Sequence, residues 1–204
     1  NGTYVVKLKI LDDDDGLGIF QTVMEVNSID PTLNTFTANG ADVLNGAAVA
    51  NFNETGTLTL AGTFEDPGFD NPGSTTNATV EDFRVRVDWG DGIVEVFNSV
   101  NEIPGGPNVL TTGDFSVSHQ YADNDDYTVT MQLLDDDNAF AQQVFNVTVD
   151  NVEPFSTSLT ANLPGGGTVA LPTQSVANGA TTGGTITLQE NDSFSIEGII
   201  GDIA

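Results

Sequence analysis

The run Leu11-Asp12-Asp13-Asp14 returns 123 residues later as Leu134-Asp135-Asp136-Asp137, and the sequence around it returns with it. Tyr4/Tyr127, Val6/Val129, Val26/Val149 and Pro31/Pro154 keep the same spacing. The match runs without a gap from Asn1/Asn124 to Asn39/Asn162. A fixed period of this kind implies an array of similar units. The repeated element is an acidic loop, so one feature bears on both architecture and chemistry.

Period-two alternation sets the type of unit. Phe83, Val85, Val87 and Trp89 alternate with Arg84, Arg86 and Asp88, and Tyr127, Val129, Met131 and Leu133 alternate with Thr128, Thr130 and Gln132. Leu58, Leu60, Gly62 and Phe64 form a third such face, and Phe145, Val147 and Val149 a fourth. No segment carries an apolar stripe at helical spacing. The expectation is an all-β chain of antiparallel strands folded as tandem immunoglobulin-like sandwiches. Strands are expected at Thr32–Ala38, Thr57–Phe64, Phe83–Trp89, Ile93–Phe97, Phe115–Tyr121, Tyr127–Leu134 and Gln143–Val149, with Phe155–Ala161 opening a further unit. Residues 1–31 then supply the last two strands of one unit and 32–154 a whole unit. Residues 155–204 supply the first strands of a third. There, Phe194-Ser195-Ile196-Glu197-Gly198 parallels Leu58-Thr59-Leu60-Ala61-Gly62 at an offset of 136, so the third unit carries about thirteen extra residues. These divisions fit a window cut from a longer repeat protein; alternatively, incomplete ends complete each other between subunits by strand addition.

The charge balance narrows the partners. Thirty acidic residues stand against four basic ones, for a formal charge of −26. That excludes the basic footprint needed for nucleic acid or an anionic membrane surface, and it favours cations. Adaptation to high salt gives a similar composition. With no cysteine, disulfides, thiolate catalysis and cysteine-based zinc sites are excluded. No apolar stretch approaches the ~18 residues that membrane insertion by a helix requires.

With the strands placed, an ordered set of motifs becomes recognisable. Val87-Asp88-Trp89-Gly90-Asp91-Gly92, His119-Gln120-Tyr121-Ala122, Asp126-Tyr127-Thr128-Val129-Thr130 and Leu134-Asp135-Asp136-Asp137 follow one another. Together they resemble the polycystic-kidney-disease (PKD) type domain. Gly62-Thr63-Phe64-Glu65-Asp66-Pro67-Gly68 and the linker Asn151-Val152-Glu153-Pro154 resemble its bacterial tandem versions. Ala139 departs from the pattern by standing where a glycine is expected, although the first copy keeps Gly16. The resemblance implies a non-catalytic extracellular sandwich used as a spacer, an adhesive module or a filament or surface-layer unit. It also implies calcium binding near an interdomain linker in some members.

The carboxylates have their own physics. In an extended loop Asp135 and Asp137 project to one side and Asp136 to the other. Like charges a few ångströms apart repel by ~1 kcal/mol or more. Ca²⁺, which takes six to eight oxygen ligands, would turn that repulsion into attraction. In an immunoglobulin-like sandwich the same end gathers Asp135, Asp136 and Asp137 with Asp66, Asp70 and the preceding Asn27 or Asp30. The equivalent loop of the first repeat is Asp12, Asp13 and Asp14. In the third, Asn151 and Glu153 would face Asp202. The competing reading is a solvated turn whose Asp side chains cap backbone N–H groups. At the opposite end, Asp88 and Asp91 are read as turn-stabilising or as part of a shared site.

Other residues are read as structural. His119, the sole histidine, has no recognisable nucleophile or metal partner, so no enzymatic activity is expected, and Trp89 reads as core. Lys7 and Lys9, on one unit's counterpart of the Tyr127–Leu134 strand, and Arg84 and Arg86, on the Phe83–Trp89 strand of the next, are expected on outward positions of equivalent sheet faces, as solubilising charge or as a contact to a neighbouring acidic chain. The functional expectation is a subunit or segment of a secreted, cell-surface filament, layer or stalk with calcium-stiffened joints and itself as partner. The alternative is an adhesin arm or a spacer and carbohydrate-binding accessory of a larger secreted protein, with surface polysaccharide as partner.

Overall fold

The computed structural model describes residues 2–71, 73, 80–153, 155–170, 188, 190 and 192–201. Fifteen strands occur among these residues, with one short 3₁₀ turn at Val43–Asn45. They are β1 (Gly2–Leu11), β2 (Leu17–Val26), β3 (Thr32–Ala38), β4 (Ala41–Asp42), β5 (Phe52–Asn53), β6 (Thr57–Asp66), β7 (Arg84–Asp88) and β8 (Val94–Phe97). There follow β9 (Asn101–Ile103), β10 (Thr111–Gln120), β11 (Asp125–Leu134), β12 (Phe140–Asp150), β13 (Phe155–Asn162), β14 (Thr168–Ala170) and β15 (Ser195–Gly201). The chain is all-β; among the described pairings β5 with β12 is parallel, whereas β1–β2, β3–β4, β3–β6, β7–β8, β7–β11, β9–β10, β13–β14 and β13–β15 are antiparallel. The chain divides into two compact units: 1–50, 58–119 and 127–147 form the first, and 51–57, 120–126 and 148–204 form the second.

The first unit holds a sandwich. One sheet runs β4-β3-β6-β10-β9 and the other includes β12-β11-β7-β8. The alternation explains how they close. Leu58, Leu60 and Phe64 of β6 and Phe115 and Val117 of β10 are buried, as are Val85 and Val87 of β7 and Val129, Met131 and Leu133 of β11. Aromatic rings knit the layers: Phe64 lies 4.6 Å from Phe83, and Phe36 lies 5.8 Å from Phe145, edge to face. Each such pair adds about 0.5–1.5 kcal/mol beyond its area burial. The strand order is that of an immunoglobulin-like fold.

The strands fall where alternation puts them, with longer ends. β10 begins at Thr111 rather than Phe115, β11 at Asp125 and β12 at Phe140. The added residues of β10 and β11 (Thr111 to Asp114, Asp125 and Asp126) include no large apolar side chain, so a pattern that scores apolar alternation passes over them. The two-residue strands β4 and β5 and the three-residue β9 are too short to show any period.

The 123-residue spacing of the sequence has counterparts in the strand pairing. β1 and β2 pair in register from Gly2↔Val26 to Leu11↔Leu17 and form a hairpin equivalent to β11 and β12. Leu8 and Ile10 are more than half exposed there, whereas their equivalents Met131 and Leu133 are fully buried. In β3–β6 the register shifts between Leu33 and Thr35, and in β13–β15 it shifts between Ser156 and Ser158, 123 residues later. Thr35 opposes Thr63 and Ser158 opposes Ile199, which reproduces the offset of 136 on the second strand.

In the second unit β5 runs parallel to the end of β12, Phe52 opposite Val149 and Asn53 opposite Asp150. Phe52 lies 5.9 Å from the ring of Tyr121, which is fully buried. β13 pairs with β14 and β15.

Candidate cation site

The acidic triplet forms a tight turn. Asp135 N donates to Ala139 O at 3.1 Å, and Asp135 Oδ1 accepts from Ala139 N at 2.8 Å. The first copy repeats the arrangement: Asp12 N donates to Gly16 O, and Asp12 Oδ1 accepts from Gly16 N at 2.6 Å. The first aspartate of each triplet therefore caps its own turn, as the competing reading expects. The left-handed residue is Asn138 (φ 68°) in one copy and Asp15 (φ 65°) in the other. Ala139 in place of glycine is thus no defect, since the strained position lies one residue earlier and Asn and Asp tolerate it.

The extended-loop picture of the triplet is wrong. Asp136 and Asp137 lie in a turn, so side chains do not alternate along it. Asp135 is 2% exposed, Asp136 and Asp137 are exposed, and Asp136 raises the proton affinity of both Asp66 and Glu81. Asp136 therefore acts electrostatically on the other acids and they on it. Arg84 braces the turn from the neighbouring strand, donating to Asp135 O at 3.2 Å and Asn138 Oδ1 at 2.5 Å. It is engaged within its own unit.

The linker and the loop after β6 meet this turn. Ser28 Oγ donates to Asp135 Oδ2 at 3.0 Å, and Phe140 N donates to Asp30 Oδ1 at 3.2 Å. Asp66, at the end of β6, is 2% exposed; its Oδ1 accepts from Gly68 N at 2.6 Å, while its buried Oδ2 has no hydrogen-bond partner. Asp70 Oδ1 accepts from Glu81 N at 2.7 Å and so brings Glu81 back over the cluster. A Cβ on Gly68 would run into Glu81 Oε2 and stand 2.9 Å from Asp66 Oδ1, so glycine leaves room for both carboxylates.

The electrostatics record the crowding. Burial, and then Asp136, Asp66, Asp135 and Asp137, push the Glu81 carboxyl up to about 8. Burial raises Asp66 as well, with Asp135, Asp136 and Asp30 adding to it. Asp136 is raised by burial and then by Asp137 and Asp135. A neighbouring cavity of about 70 Å³ is lined by Asp70, Glu81, Asp82, Glu102, Pro104 and Thr111. Glu102 on its wall is raised by burial and by Asp82 and Asp70. Carboxylate oxygens are the donors that a hard divalent cation prefers, and Asp66 Oδ2 is a buried one left over. Among the described residues no three acidic or histidine side chains close on a single point, so the cluster is an open arrangement and not a finished coordination shell.

The structure therefore brings together Asp30, Asp66, Asp70, Asp135, Asp136 and Asp137. Asn27 stays exposed on the linker, and Asp12, Asp13 and Asp14 are exposed on the hairpin. Asn151 and Glu153 are exposed, and Asp202, expected to face them, lies outside the described residues. Glu81 and Ser28 were not among the expected residues. Glu81 had a signal, because it lies three residues before β7 at the end where the acidic loops gather.

The opposite end of the sandwich is a closed network. Trp89 is fully buried and stacks on His119 with centroids 4.8 Å apart and an interplanar angle of 14°. His119 Nε2 lies 2.7 Å from Asp91 Oδ2, and Trp89 Nε1 donates to Glu95 Oε2 at 2.8 Å. Asp91 Oδ1 accepts from Ile93 N at 3.0 Å, and Asp88 Oδ1 from Gly90 N at 3.1 Å. Asp88 and Asp91 thus serve turns.

No family model and no curated protein matches the chain. Among solved structures it is similar to the PKD domain of an M14-like peptidase from Thermoplasmatales archaeon SCGC AB-540-F20. Identity is 19%, covering 59% of this chain and 96% of that one, with a TM-score of 0.36.

Proposed function

We propose that this chain is a non-enzymatic structural segment of a secreted repeat protein. Its immunoglobulin-like repeats, divided at 1–31, 32–154 and 155–204, join end to end in a cell-surface filament, layer or stalk. Calcium bound by Asp66, Glu81, Asp135 and Asp136, with Asp30, Asp70 and Asp137 around them, stiffens the point where the linker enters a repeat. The single observation that carries this reading is Asp66 Oδ2, buried and unpartnered among carboxylates on the loop that Ser28 and Asp30 of the linker also hold. Such a group is expensive to bury unless something pairs with it.

The repeat geometry supports the array, because the same register shift recurs in β3–β6 and β13–β15. The adhesin or carbohydrate-binding alternative draws less support, since Trp89 is buried and offers no stacking platform. No helix among the described residues is long and apolar enough to cross a membrane. The test is thermal unfolding with Ca²⁺ and with chelator, at low and high NaCl. A calcium-dependent rise in melting temperature at both salt levels supports the reading. A rise that NaCl alone reproduces points to general screening of an acidic surface instead.

A further inference from the structure

The second unit contains a buried acid that the cation site does not use. Glu54 is 1% exposed, and its Oε1 accepts from the backbone N–H of Val152 at 2.6 Å. Val152 is the second residue of the linker after β12. The segment carrying Glu54 is laced to the same strand end. Glu54 N donates to Asp150 O at 2.9 Å, Asn51 Nδ2 donates to Asp150 Oδ1 at 3.1 Å, and β5 pairs in parallel with Val149 and Asp150. Thr55, in the left-handed region at φ 62°, donates its N–H to Tyr121 O at 2.8 Å, and Gln120 Nε2 donates back to Thr55 O at 2.6 Å.

These bonds hold Glu54 from both sides, yet its Oε2 has no partner. A buried carboxylate oxygen left unpaired calls for an explanation. Packing does not supply one, because an apolar side chain would fill the space without the desolvation penalty. The bond to Val152 gives a reason for a polar side chain here, since the Glu54 carboxyl supplies that backbone N–H with an acceptor. The residue also recurs: Glu190 stands four positions before Phe194, as Glu54 stands four before Leu58.

We propose that Glu54 is a linker latch, a positioning residue that fixes where the chain leaves the sheet by holding the Val152 N–H. It does not depend on calcium, so this inference can fail while the cation reading stands, and the reverse. The test is amide hydrogen exchange of the full chain in chelator, comparing wild type with Glu54→Gln and Glu54→Leu. Wild type is expected to protect Val152, and Glu54→Gln to retain most of that protection because its amide oxygen still accepts. Glu54→Leu should speed Val152 exchange by about 10- to 100-fold, the cost of leaving a backbone donor without its acceptor. Met131 and Val87, in the β11–β7 ladder, should stay protected in all three. Unprotected Val152 in wild type overturns the proposal. So does unchanged protection in Glu54→Leu, or a loss there that spreads equally to Met131 and Val87, since Glu54 would then be an ordinary core residue.

Discussion

Replacing Glu81 with glutamine should stabilise the calcium-free protein and weaken the calcium-loaded one. Glu81 rises from 4.5 to about 8 because of burial and four neighbouring aspartates. It holds its proton more tightly folded than unfolded. Its contribution to stability is therefore fully present below pH 4.5 and is lost as the pH climbs towards about 8. Near pH 7.5 the loss approaches 4 kcal/mol at about 1.4 kcal/mol per tenfold change in proton affinity, and solvent screening of a partly exposed group reduces it to about 2 kcal/mol. Glutamine removes that penalty. In chelator at pH 7.5, Glu81→Gln should melt roughly 8 °C above wild type, with the difference vanishing at pH 4. In calcium the order should reverse. An ion at a hundred times its dissociation constant adds about 2.7 kcal/mol to wild type, and a variant lacking one ligand gains much less. Differential scanning calorimetry at pH 4, 6 and 7.5, in chelator and in millimolar Ca²⁺, reads all of this. Equal or lower stability of the variant in chelator at pH 7.5 would refute the reasoning, because it would mean that the carboxylates around Glu81 do not strain the fold.

Three further outcomes follow from single contacts. Gly68→Ala should cost about 1–3 kcal/mol, measured by urea unfolding, because the added Cβ displaces the Glu81 carboxylate. Arg84→Met should loosen the acidic turn, with faster amide exchange at Ala139 and Asn138 and little change at Val87 in the core. Trp89→Ala should cost about 3–5 kcal/mol through the cavity it leaves and should free His119 from its stacked position, seen as a shifted imidazole resonance.

The fold was legible wherever burial writes a period of two. The faces carrying Val85 and Val87, Val129 and Met131, and Leu58 and Leu60 are buried as their alternation implies. The strands that escaped, such as β5 and β9, are too short for any period, and one of them carries the residue next to Glu54. The acidic end was also readable, because Asp66, Asp135 and Asp136 stand where an immunoglobulin-like connectivity brings loops together. Side-chain direction within the triplet was not, since a turn replaces the extended loop. The partners Ser28 and Glu81 depend on tertiary approach across 107 residues in one case and on a backbone bond to Asp70 in the other. No local pattern encodes either contact.

The central claim is that the buried, unpartnered carboxylate of Asp66 makes the linker end of the repeat a calcium site. The most direct measurement is calorimetric titration of Ca²⁺ into the chelator-treated chain, beside its Asp66→Asn variant, in high NaCl. A saturable, proton-releasing binding event in wild type that Asp66→Asn weakens at least tenfold is the predicted result. Binding that Asp66→Asn leaves unchanged, or none above the dilution heat, would contradict the claim.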